Sequence, residues 1–156
     1  GWEHLLINCA WLAIFGTPVA RRYGPLATVI LFLASAAVGA AFFAATTLPE
    51  VQLLIGASGG VAGLTGAACR FIFQPVIVGR DPESGEERVL GRRMASLGEL
   101  MRNQRAGFFI VVWLVLNAAV PFLPMLIGQS IGIAWQAHLG GFLAGLFLAP
   151  LFERRH

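Results

Sequence analysis

The chain has 156 residues, 57% of them hydrophobic and only 12% charged, with a net charge of +3. Soluble domains carry about 25% charged residues, so a soluble fold is excluded and lipid is the expected solvent. All eleven basic residues are arginine, and the longest polar stretch mixes both signs, so the excess charge does not point to nucleic acid.

In chain order, five apolar runs approach the roughly 20 residues a helix needs to cross a bilayer. They predict spanning helices over Leu5–Val19, Leu26–Thr47, Ile55–Phe73, Ala106–Ile127 and Ile131–Phe152. Each is apolar on every face, unlike the alternating strands of a transmembrane barrel. The fold class is therefore an all-α membrane protein, a polytopic helical bundle forming a single domain over residues 1–156. His4 and Asn8 open the first run, and Arg21 and Arg22 follow it. Glu50 lies after the second run. Ser58 opens the third, within "GASGG", and Arg70 ends it. Residues 74–105 form a loop with six arginines, expected to be a solvated linker whose second half, with Leu97, Leu100 and Met101 at helical spacing, lies along the membrane surface. Pro121 and Pro124 mark the turn before the fifth run, which carries His138. The arginines occupy alternate loops only, which places those loops and the C-terminus, with Arg154, Arg155 and His156, in the cytoplasm. Cys9 and Cys69 lie inside runs without paired spacing and are expected in the core. They suggest neither a disulfide nor a metal site, and no cofactor is implied.

Polar side chains inside spans are the place to look for chemistry. His4 and Asn8 are four residues apart and share a helix face. His138 lies seven residues into its run, about 10 Å deep at about 1.5 Å per residue, level with Ser58. Gly141 and Gly145 form a small-x-x-x-small pair, as do Gly59 and Gly63, so the third and fifth helices can approach closely and bring Ser58 against His138. A serine hydroxyl becomes a nucleophile when a base takes its proton, and His138 is the candidate base. No Asp or Glu lies in any span to orient the imidazole, which makes the arrangement a dyad. The Ser58 backbone N–H at a helix start, the Asn8 amide and the His4 ring are candidate donors to an oxyanion. Singly, each group has a structural reading: Ser58 as a small packing residue, Asn8 as a link between helices, His4 as a solvated helix end. Their common depth carries the hydrolytic one. The G-x-S-x-G match itself lacks the strand and sheet that a nucleophile elbow needs.

The segments "HLLIN" at 4–8, "GASGGVAGLTGA" at 56–67 and "AHLGGFLAG" at 137–145 resemble the signature segments of the rhomboid intramembrane serine proteases, in the family's order and with its helix spacing. The resemblance implies Ser58 as nucleophile, His138 as base, and His4 and Asn8 as oxyanion contributors, with Gly56 and Ala57 in the turn beside the substrate. It also implies a short serine helix surrounded by the others and a water-filled cavity open to the outside. The substrates would be transmembrane helices of other proteins, cleaved after local unwinding near the outer face. The family's first helix and its following loop would precede Gly1, so this chain is expected to carry five helices of a six-helix core, the missing one upstream. Two positions depart from the pattern. Ala62 stands where many members carry an aromatic residue against the histidine, and Ala20 where a glutamate is common. The alternative reading is a catalytically silent rhomboid-like protein that binds membrane clients. A transporter is disfavoured, because the inner halves of the spans are nearly free of polar groups.

Overall fold

The computed structural model describes residues 1–47, 56–126 and 134–153. Helix α1 (Trp2–Trp11) passes through a π-helical turn (Leu12–Gly16) into α2 (Thr17–Tyr23). Pro18 has no N–H and its ring crowds the carbonyl four residues back, so the ladder widens to π spacing just ahead of it. Gly24, at φ +85°, ends this run in a conformation other residues avoid, and Pro25 opens the next helix. Helix α3 is Pro25–Thr47, α4 is Ser58–Cys69, α5 is Leu97–Arg102, α6 is Gln104–Leu126 and α7 is Trp135–Leu148, the last continuing as a 3₁₀ turn, Ala149–Phe152.

Among the described residues, two helical stretches are long and apolar enough to cross a bilayer by length and composition: Pro25–Thr47 and Trp135–Phe152. The expected third span is shortened. Its residue Ile55 lies outside the described residues, and α4 ends at Cys69 in a turn whose N–H groups reach back to Ala67 and Ala68. Twelve helical residues rise only about 18 Å, against about 30 Å of hydrocarbon. Every residue of α4 from Gly59 to Cys69 is buried, so it is wrapped by protein.

Glycine makes that wrapping possible. A Cβ added at Gly145 would lie 1.7 Å from the Gly63 carbonyl oxygen, and one at Gly141 would lie 2.1 Å from the Gly59 oxygen. On the other side, a Cβ at Gly39 of α3 would lie 2.4 Å from the Ala137 oxygen of α7. Helices α3, α4 and α7 thus pack at backbone contact, with the small-x-x-x-small pairs facing each other.

The loop at 74–105 corrects both the linker and the purely helical expectation. Strand β1 (Val76–Arg80) pairs antiparallel with β2 (Glu87–Arg92), with a register shift between Ile77 and Val78. The turn "DPESG" closes it: Asp81 Oδ1 accepts the N–H groups of Glu83 and Ser84, both at 2.9 Å, and Gly85 takes φ +72°. Those bonds hold the Asp81 carboxyl below the usual carboxylate range. Helix α5 starts at a capping box, with Ser96 Oγ accepting from Glu99 N–H and the Glu99 carboxylate accepting from Ser96 N–H. The Arg93 guanidinium, then these capping bonds, push the Glu99 carboxyl down to about 2. Leu100 is fully buried while Met101 is 80% exposed, so α5 seals the bundle with one residue and presents the other outward.

The arginine end of the molecule is tied together. Arg22 pairs with Glu153, donates to the Arg92 carbonyl at 2.7 Å, and lies 4.8 Å from the centre of the Phe71 ring. Arg70 donates to the carbonyls of Ala95 at 2.9 Å and Leu146 at 2.7 Å, and Arg92 to those of Ile72 and Gln74. This network sits at the C-terminal end of α4, opposite Ser58. Cys69 is buried, but Cys9 is exposed on the outer face of α1, contrary to the expectation of a core residue.

Candidate active site

The turn into α4 is built for close approach. Gly56 takes φ +126°, a conformation that disfavours other residues, and a Cβ there would lie 3.2 Å from the His4 ring. Ala57 is the N-cap, and Ser58 is the first residue of the helix. The N–H groups of a first turn have no intrahelical acceptor, so they face the space above α4 with the positive end of the helix dipole.

His138 lies in the first turn of α7, on a helix whose Gly141 and Gly145 seat it against α4. Its Nε2 is 2.8 Å from Ser58 Oγ, and its Nδ1 is 2.8 Å from Asn117 Oδ1 on α6. The Asn117 amide in turn donates from Nδ2 to the Trp113 carbonyl at 2.8 Å. One turn along, Trp113 stacks on Phe142 of α7 with ring centres 4.5 Å apart. Helices α6 and α7 are therefore joined by two rungs, an aromatic stack and an amide–imidazole hydrogen bond. Ala62 packs in the same buried cluster as Trp113 and Phe142.

On α1, Asn8 Nδ2 donates to the His4 carbonyl at 2.8 Å and lies 3.2 Å from His4 Nε2. A carbonyl only accepts, so Nδ2 is the donor and the His4 Nε2 lone pair receives its second hydrogen. Both side chains face a cavity of about 320 Å³ that also takes in Ser58, Asn117 and His138, with walls of Ile7, Trp11, Val61 and Leu116. The structure thus gathers His4, Asn8, Ser58 and His138 around one space and sets Gly56 beside His4. Among the described residues, no group of three or more His, Cys, Asp or Glu side chains is placed to hold a metal ion.

Asn117 was not among the residues singled out from the sequence. A carboxylate is the usual orienting group for such a histidine and none lies in a span, but an amide oxygen accepts the same imidazole N–H. Its signal is a lone amide in the apolar run "WLVLNAAV".

Comparison with curated proteins gives no match, and comparison with solved structures gives none either. A family model does match: the rhomboid domain, over residues 1–155. With the match reaching from the first residue to the last but one, through the helices that carry all five cavity-lining polar groups, this integral membrane protein belongs to the rhomboid family.

Proposed function

We propose that this protein is an intramembrane serine endopeptidase that hydrolyses peptide bonds in or near transmembrane helices of other membrane proteins. The family is mostly serine proteases acting on membrane-protein substrates. The observation that carries the reading for this chain is the 2.8 Å contact between Ser58 Oγ and His138 Nε2, facing a cavity lined by further donors.

In the reaction, His138 Nε2 takes the Ser58 hydroxyl proton as Oγ bonds to the scissile carbonyl carbon. The carbonyl oxygen becomes an oxyanion, received by the Ser58 backbone N–H and by an Asn8 N–H released from His4 Nε2. His138 returns the proton to the leaving amine as the C–N bond breaks, leaving an acyl-enzyme. Water then gives its proton to His138 and its oxygen to the acyl carbon, and His138 passes that proton to Ser58 Oγ as the acyl C–Oγ bond breaks and the carboxylic acid leaves. Gly56 and Ala57 border the substrate segment, and the whole chain acts as one membrane domain. The site opens to the outer face, because the arginine-rich loops, on the opposite end of α4, belong to the cytoplasm.

One experiment tests chemistry and sidedness together. Cells expressing the protein with a reporter whose transmembrane helix carries Gly and Pro in its outer half should release the outer fragment to the medium. Ser58→Ala and His138→Ala should release none while remaining folded in detergent. Release by Ser58→Ala at the wild-type rate would overturn the proposed nucleophile, and a cut on the cytoplasmic side would overturn the orientation. A wild-type protein that captures the reporter without cutting it would be the catalytically silent relative.

A further inference from the structure

We infer that Asn117 is a positioning residue that completes a Ser58–His138–Asn117 relay, fixing the tautomer and the aim of the imidazole. The inference rests on the protease reading of Ser58 and His138. Its basis is a chain of hydrogen-bond assignments that leaves one solution. The Trp113 carbonyl can only accept, so the atom of the Asn117 amide 2.8 Å from it is Nδ2. The other amide atom, Oδ1, can only accept, and it lies 2.8 Å from His138 Nδ1. His138 Nδ1 therefore carries the proton. In the neutral ring Nε2 is then a bare lone pair, and it faces Ser58 Oγ at 2.8 Å.

Asn117 thus does for His138 what a carboxylate does in a triad: it selects the tautomer able to accept the serine proton and holds the ring plane. The proton balance is simple. The Ser58 proton moves to Nε2 and later to the leaving amine, while the Nδ1 proton stays on Nδ1, donated to Oδ1 throughout. Asn117 gains and loses nothing. With no charge, it stabilises the imidazolium less than a carboxylate, and it costs less to bury in lipid.

Ala62 gives this arrangement its setting. No aromatic side chain from α4 can hold the histidine, and Ala62 packs instead with Trp113 and Phe142. That stack lies one turn from the amide–imidazole bond on both helices, since Trp113 is four residues before Asn117 and Phe142 four after His138. The rung of rings fixes the spacing at which the polar rung closes.

The test uses the full chain in detergent and the reporter segment described above. Asn117→Asp keeps an acceptor for Nδ1–H but cannot donate to the Trp113 carbonyl. Asn117→Leu has similar volume and makes neither bond. The inference predicts a kcat loss of about 10²-fold for Asn117→Leu with KM little changed, the scale of a misaimed reacting group, and a kcat for Asn117→Asp within about tenfold of wild type. Equal losses in the two variants would assign Asn117 to packing through Trp113 and overturn the inference. Ser58→Ala, run alongside, separates the two claims. If it is inactive while Asn117→Leu turns over normally, only the relay falls; if it is active, the protease reading itself falls. A readout independent of cleavage is the ¹⁵N spectrum of the His138 ring at alkaline pH, assigned by its loss in His138→Ala. A protonated Nδ1 in the wild type is expected, and a protonated Nε2 would overturn the inference even if Asn117→Leu failed to fold.

Discussion

At the scale of single residues, the chemistry rests on where each hydrogen points. His4 and Asn8 illustrate this: both Asn8 amide hydrogens are held within α1, one by the His4 carbonyl at 2.8 Å and one by His4 Nε2 at 3.2 Å. The pair is preformed but not yet aimed at a substrate. In the proposed reaction the oxyanion draws one hydrogen away from His4, more readily as its charge develops. Asn8→Ala should slow cleavage by about 10²-fold, the usual cost of one lost oxyanion donor, while leaving Ser58 chemically reactive. A His4→Ala protein should lose less, since its ring buffers the donor. Normal turnover in both variants would leave these residues as a helix-end brace. Ser58, His138, His4 and Asn8 were all legible as candidates because polar groups are conspicuous among apolar neighbours. Asn117 is equally conspicuous in "WLVLNAAV", but its worth depends on two partners, 4 and 21 residues away, that only folding brings within 2.8 Å.

Elements were legible where hydropathy alone decides them. Helix α3, Pro25–Thr47, follows its apolar run to within a residue. Helix α4 does not, because the apolar run continues to Phe73 while the helix ends at Cys69; hydropathy cannot distinguish a span facing lipid from a short helix buried in protein. The β-hairpin was missed because Val76, Ile77 and Val78 are consecutive apolar residues without alternation, although the "DPESG" turn and the Ser96-x-x-Glu99 capping box were both readable. What holds the serine helix in place is backbone contact between α4 and α7. Gly145→Ala would press a Cβ to 1.7 Å from the Gly63 oxygen, and the helices must part. Overpacking of this kind costs about 1–3 kcal/mol and should lower the unfolding temperature in detergent while separating Ser58 from His138. Gly107→Ala, where a Cβ meets nothing within 4 Å, is the control on α6. Equal stability of the two variants would mean that α4 and α7 are not locked by this contact.

For the whole molecule, the sequence order of polar and basic residues maps onto two ends of one short helix. Ser58 begins α4, with the cavity above it, and Arg70 follows its last residue, within hydrogen-bond reach of carbonyls from two other segments. The arginine bias was readable as a set of alternate arginine-bearing loops. That Arg22, Arg70 and Arg92 also brace the bundle was not, because their acceptors are Glu153 and backbone carbonyls far along the chain. Ala20 leaves the arginine end without a glutamate at that position, and the Arg22–Glu153 pair ties α2 to the chain's far end there. The proposed chemistry at the Ser58 end, by contrast, depends on a single pair of atoms. The most direct test of its central claim is labelling of the purified protein by a fluorophosphonate, followed by mass spectrometry of the modified peptide. The account predicts one adduct, on Ser58 Oγ, absent in Ser58→Ala and strongly slowed in His138→Ala. An unlabelled Ser58 in a protein that cleaves its reporter, or an adduct of equal yield in His138→Ala, would contradict it.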